Sequence, residues 1–131
     1  MKSNPVVWFE IYVQDMDRAK TFYESVFQVQ LEKLENPGME SGMEMWGFPM
    51  TMDAMGASGA LVKMEGVKSG GSGTIPYFHC DEVATESERV VTAGGQIQQP
   101  KMSIDQYGFM ALIVDTEGNL VGLHMPPEEK A

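Results

Sequence analysis

Apolar and polar positions along the chain run through the same order twice. A strand-like run, Val6-Val7-Trp8-Phe9-Glu10-Ile11-Tyr12-Val13, is followed by Asp15 and by a stretch in which Met16, Ala19, Phe22 or Tyr23, and Val26 or Phe27 recur at helical spacing. Later, Thr74-Ile75-Pro76-Tyr77-Phe78-His79-Cys80 takes the place of the strand. A stretch from about Val83 to Ala93 takes the place of the helix, with Val83, Ser87 and Val90-Val91 towards one side. Each helix carries a start signal. Asp15 can accept from an unpaired amide of the first turn, where Asp17 adds favourable negative charge, and Asp81 or Glu82 serves the second helix in the same way. Gly94 suits the left-handed conformation that ends a helix.

Three short strand-like runs follow each helix. They are roughly Val29 to Glu35, Met43 to Met50 and Gly59 to Met64 in the first half, and Gln96 to Met102, Phe109 to Val114 and Leu120 to Met125 in the second. Turn residues from Asp115 to Asn119 join the last two as a hairpin. The pattern predicts an α+β fold of two tandem βαβββ modules, forming a curved mixed sheet around a cavity. The first module covers about 5–65 and the second about 74–126. Between them Gly66 to Gly73, with its Ser-Gly-Gly-Ser-Gly core, reads as a flexible joint. At 131 residues the chain is expected to form a single domain, 1–131, with one shared core.

Composition narrows the partners. Nine basic against nineteen acidic residues give a net charge of −10, which repels nucleic acid and anionic lipid and favours a cationic or neutral ligand. No run of about 18 apolar residues is present to cross a membrane, and the N-terminal segment has no apolar stretch of the signal-peptide kind, so a cytoplasmic protein is expected. Cys80 is the single cysteine, which excludes an internal disulfide and a cysteine-based zinc cluster; it reads as a small buried hydrophobe.

In order and spacing, the chain resembles the glyoxalase/bleomycin-resistance/extradiol-dioxygenase superfamily, also called the vicinal oxygen chelate superfamily. The residues that carry the resemblance are Glu10-Ile11-Tyr12-Val13, Asp15, Arg18-Ala19-Lys20, Phe22-Tyr23 and Phe27, then Ala93-Gly94-Gly95 and the segment from Asp115 to Leu123. It extends from Val6 to about Pro126. It implies the paired-module fold, but no single reaction, because the superfamily hosts metal-dependent isomerases, dioxygenases, thiol transferases and metal-free drug-binding proteins. Its metal enzymes take His and Glu ligands from the first and last strands of each half. Those positions correspond here to Trp8, to Val62 or Lys63, to Ile75 and to Gly122, a set without the expected donors. Neither the usual metal nor another cofactor is therefore expected.

With Trp8, Ile75 and Gly122 turned inward, alternation turns Glu10, Tyr12, Tyr77, His79 and His124 inward as well. Glu10 is the candidate catalytic residue: a carboxylate in an apolar wall has its pKa raised and serves as a general base. Alternatively, it is held by a neighbouring donor and braces the cavity. Trp8, Tyr12, Tyr77, His79 and His124 are candidate ligand-binding residues, and Glu10 with the two histidines also suggests a displaced metal triad. Seven of the twelve methionines fall between Met39 and Met64. With Trp46 and Phe48 they read as an adaptable wall for an apolar ligand, or as filling for a core or subunit contact. Two function classes follow. One is a metal-free protein that binds a cationic or aromatic small molecule; the other is a small lyase- or isomerase-type enzyme using Glu10. The open sheet edges of such modules predict a homodimer.

Overall fold

The computed structural model describes residues 4, 6–35, 42–51, 53–71 and 73–127; Met39 and Met52, two of the singled-out methionines, lie outside the described residues. Strand β1 (Phe9–Tyr12) leads into helix α1 (Met16–Phe27), followed by β2 (Glu32–Lys33), β3 (Met43–Gly47) and β4 (Gly59–Met64). The second half repeats this with β5 (Tyr77–His79), α2 (Val83–Thr92), β6 (Gln96–Ser103), a 3-10 turn (Asp105–Tyr107), β7 (Phe109–Val114) and β8 (Leu120–Met125). Each half forms a four-stranded sheet of the same order, β1-β4-β3-β2 and β5-β8-β7-β6. In each, the first strand pairs in parallel with the last and the others pair antiparallel. The fold is the expected α+β arrangement of tandem βαβββ units.

Local chemistry sets the helix ends. Asp15 accepts from the Arg18 amide at 3.0 Å and caps α1; the Glu82 carboxylate accepts from the Ala84 amide at 3.0 Å and caps α2. After α2, Gly94 takes a positive φ of 99° as its sequence position suggested. At the end of α1 no glycine is present, and Gln28 enters the left-handed region with φ 55° and ψ 48°.

The core lies between the sheets and the two helices. Ile11, Val13 and Leu61 from the first sheet meet Met16, Ala19, Phe22, Tyr23 and Val26 of α1. From the second half Ala111, Ile113, Val121 and Leu123 meet Val83 and Val90 of α2. The halves are continuous through aromatic rings: Phe9 of β1 packs edge-on to Phe78 of β5 with centroids 5.5 Å apart, and Phe27 of α1 stacks on Phe78 at 4.6 Å. On the opposite face of the first sheet, Met45, Ala60 and Val62 form a smaller cluster with Trp8, Tyr12, Leu34 and Met43 against it.

A second connection runs from the β7–β8 hairpin to the start of α1. The buried Tyr23 hydroxyl donates to Asp115 at 2.6 Å; burial, then the Asp115 charge, pushes this phenol well above its ordinary pKa. Asp115 also accepts from the amides of Glu117 and Asn119, both at 2.8 Å. Glu117 accepts from the Gln14 and Asp15 amides and from Arg18, while Asn119 Nδ2 donates to the Tyr12 carbonyl at 3.0 Å. Turn residues that only closed a hairpin on paper thus join the two halves. The glycine-rich joint is also held: Ser69 donates to the Glu117 carbonyl at 2.7 Å, and the Gly70 amide donates to Asn119 Oδ1 at 2.6 Å.

Candidate functional site

Where the start of β1 passes the end of β5, residues of both halves enclose an open cleft of about 600 Å3. Its aromatic wall is built from Trp8 and Phe9 of β1 and its approach, Phe27 of α1, Phe48 after β3, and Tyr77 and Phe78 of β5. The β3–β4 connection supplies the rim with Met50 and Met55, both exposed. At the other side stand His79, Asp81 and Glu86, the last from the first turn of α2. A second cleft of about 330 Å3 lies at the other end of β1, against the glycine-rich joint and the start of β8.

Phe9 and Ile11 of β1 pack in the core, whereas Trp8, Glu10 and Tyr12 share the other face; Trp8 and Phe9 line the large cleft, while Glu10 and Tyr12 line the second one. Trp8 Nε1 donates to Glu10 at 3.2 Å and the Tyr12 hydroxyl donates to its other oxygen at 3.0 Å. Partial burial, followed by the hydrogen bond to Glu10, raises the Tyr12 phenol above its ordinary value, so it stays a donor committed to that carboxylate. Glu10 itself is exposed, and the desolvation on which a general-base role depended is missing. The geometry is that of a braced carboxylate.

In the second half, Tyr77 pairs with Gly122 and His79 with His124 across the parallel β5–β8 ladder, so all four share a face. His124 Nε2 lies 2.8 Å from the Tyr107 carbonyl, and His79 stands exposed 3.6 Å from Asp81. Tyr77 and His79 line the large cleft, but His124 does not. Phe48 lines it too, whereas Trp46 pairs with Leu61 on the helix-covered face and lies under Lys20, whose ammonium is 3.3 Å from the ring centroid. The methionines divide: Met50 and Met55 edge the cleft, while Met43 and Met45 pack behind Tyr12.

The donor set does not fit the superfamily's divalent metal. Trp8, Val62, Ile75 and Gly122 offer no ligand atoms, Lys63, the alternative to Val62, brings an ammonium in place of a His or Glu donor, and the space beside Gly122 belongs to Tyr77, whose ring would lie 2.4 Å from an added Cβ. Among the described residues no three side chains of His, Cys, Asp and Glu are grouped to hold a metal, and Glu10, His79 and His124 do not converge.

Sequence reasoning missed Glu86. The expected buried side of α2 is Val83, Ser87 and Val90-Val91; the structure buries Val83, Glu86 and Val90, encloses the Ser87 Oγ, and leaves Val91 58% exposed. The signal was present, because Glu86 sits three residues after Val83 and four before Val90. A glutamate is simply not expected on a buried stripe.

The Glyoxalase/Bleomycin resistance protein/Dioxygenase superfamily pattern matches residues 6–123. A protein of Mycobacterium bovis provisionally named glyoxylase CFP32 is 29% identical over 121 residues, covering 88% of this chain and 43% of that protein. A glyoxalase I mutant from Zea mays has the same fold at a TM-score of 0.70 and 21% identity, over 92% of this chain and 46% of that one. The fosfomycin resistance protein FosX from Listeria monocytogenes matches at a TM-score of 0.65 and 16% identity, over 100% and 97%. The chain thus spans less than half the length of CFP32 and of the maize enzyme. Matched over most of its length and folded as the paired units require, it belongs to the glyoxalase/bleomycin-resistance/dioxygenase superfamily.

Proposed function

We propose that this protein is a cytoplasmic, homodimeric binder of a small molecule, which it takes into the cleft between its two halves without the divalent metal site of the superfamily's metal enzymes. The observation that carries the reading is the cleft itself: about 600 Å3, of the size that takes a small organic ligand, with aromatic walls contributed by both halves. A donor-poor set at the family's metal positions agrees with it, as does a Glu10 already engaged by Trp8 and Tyr12. The dimer is supported by the outer strands β2 and β6, each with one unpaired edge.

The test combines metal analysis by mass spectrometry with thermal-shift titrations, on protein purified without chelator. Expected are substoichiometric metal and no shift with Ni, Zn, Fe(II) or Mn. Small aromatic compounds should give a shift that Phe48→Ala weakens. Near-stoichiometric metal, lost on changing Glu10, His79 or His124 to Ala, would replace this reading with that of a lyase- or isomerase-type enzyme using a displaced site.

A further inference from the structure

Among the described residues, Glu86 is the one charged side chain of the cleft wall that is also buried, with 9% of the residue exposed. It stands in the first turn of α2, where the positive end of the helix dipole favours negative charge. Among the described residues, no Lys, Arg or His pairs with it, and no N–H or O–H donates to its carboxylate. Its polar neighbour is the Cys80 thiol, a weak donor that burial first, and then the Glu86 charge, pushes up to about 12. Among the described residues the lining contains no Lys or Arg. Its titratable side chains are Glu86, the exposed Asp81 and His79, and Tyr77.

These facts discriminate between ligand charges. An anion entering the cleft meets two carboxylates and no fixed cation. A neutral apolar ligand displaces water from Glu86 and leaves its carboxylate with no donor but the weak Cys80 thiol, which is costly. A cation supplies the missing partner. The rest of the wall suits it as well, because Phe27 and Phe48 pack on Phe78 at 4.6 and 5.4 Å, and aromatic faces attract positive charge. We infer that the cleft takes an organic cation, with a protonated amine or quaternary ammonium at Glu86 and an apolar body against Phe27, Phe48 and Phe78. The inference rests on the cleft being the ligand site and adds the ligand's chemical class.

Isothermal titration with one carbon skeleton in three charge states tests it: 2-phenylethylamine and its trimethylammonium analogue, neutral 2-phenylethanol, and 3-phenylpropanoate. The cations should bind about tenfold or more tightly than the alcohol, and the anion most weakly. Glu86→Gln should bring the cations to the level of the alcohol while leaving the alcohol's affinity within about twofold, which also reports an intact cleft. Should Glu86→Gln lose its thermal transition, Glu86→Asp carries the test: the preference shrinks but keeps its sign. Equal binding of amine and alcohol, or a preference indifferent to Glu86, overturns the cation assignment and leaves the cleft reading standing. If no member of the series binds, both fall.

Discussion

Glu117→Gln removes a single charge from a side chain that is wholly enclosed at the junction of the two halves. The carboxylate accepts from the amides of Gln14 and Asp15, both at 2.9 Å, from Arg18 Nε at 2.6 Å and Nη2 at 3.1 Å, and from the Thr116 hydroxyl at 3.1 Å. Burial by itself raises its pKa. The Arg18 guanidinium, the two amides and the Thr116 hydroxyl outweigh that and hold it at about 2, against an ordinary value of 4.5. The gap corresponds to roughly 3 kcal/mol. Because the Arg18 side chain is 52% exposed, solvent screens part of it, and the expected loss for the variant at pH 7 is about 2–3 kcal/mol. The folded-state pKa lies below the unfolded one, so the stabilisation is complete above about pH 4.5 and disappears as pH falls towards 2. Urea unfolding at pH 7, 5 and 3 measures it. The difference between wild type and variant should be similar at pH 7 and 5, and fall to less than about half by pH 3. Coincident midpoints at pH 7, or a difference unchanged at pH 3, would refute the reasoning.

Three further outcomes are expected. Gly122→Ala places a methyl group against the Tyr77 ring and should cost about 1–3 kcal/mol in urea unfolding; Tyr77→Ala in the same chain should recover most of it, and a strictly additive double variant would contradict the contact. Gln28→Gly relieves the left-handed backbone at the end of α1 and should raise stability by about 0.5–1 kcal/mol, seen as a higher melting temperature. Cys80, with its pKa near 12, should react with iodoacetamide at pH 8 at least about a hundredfold more slowly in the folded protein than in urea, and comparable rates would place the thiol elsewhere.

Sequence reasoning reached the fold because local signals agreed with one another. Asp15 and Gly94 mark a helix start and a helix end, and the β4, β7 and β8 segments carry alternation or apolar runs strong enough to be placed by residue. It overreached where the signal was compositional: the run from Val29 to Glu35 contains only the two-residue β2, and the joint is pinned by Ser69 and Gly70. Trp46 and Phe48, expected to form one wall, both pack against the helix-covered core but at different places: Trp46 lies under Lys20, whereas Phe48, just beyond the end of β3, packs on Phe9 and Phe78 and lines the cleft. For Glu10 a holding donor was one of the two expected readings, and Tyr12 and Trp8 supply it, but the exposure of the carboxylate depends on how the strands and halves pack, which no local pattern records. The same holds for Glu86 in the opposite sense.

The hairpin that closes on α1 also gives the chain an order of events during synthesis. Tyr23 meets Asp115, and the amides of Gln14 and Asp15 meet Glu117, across 92, 103 and 102 residues respectively. At a ribosomal rate of roughly 5–20 residues per second, α1 waits on the order of 5–20 s for the acceptors that complete its first turn and its buried phenol. Throughout that interval the Tyr23 hydroxyl and the Gln14 and Asp15 amides lack the acceptors that they have in the finished fold, so the first half completes these bonds only after the β7–β8 hairpin has been made.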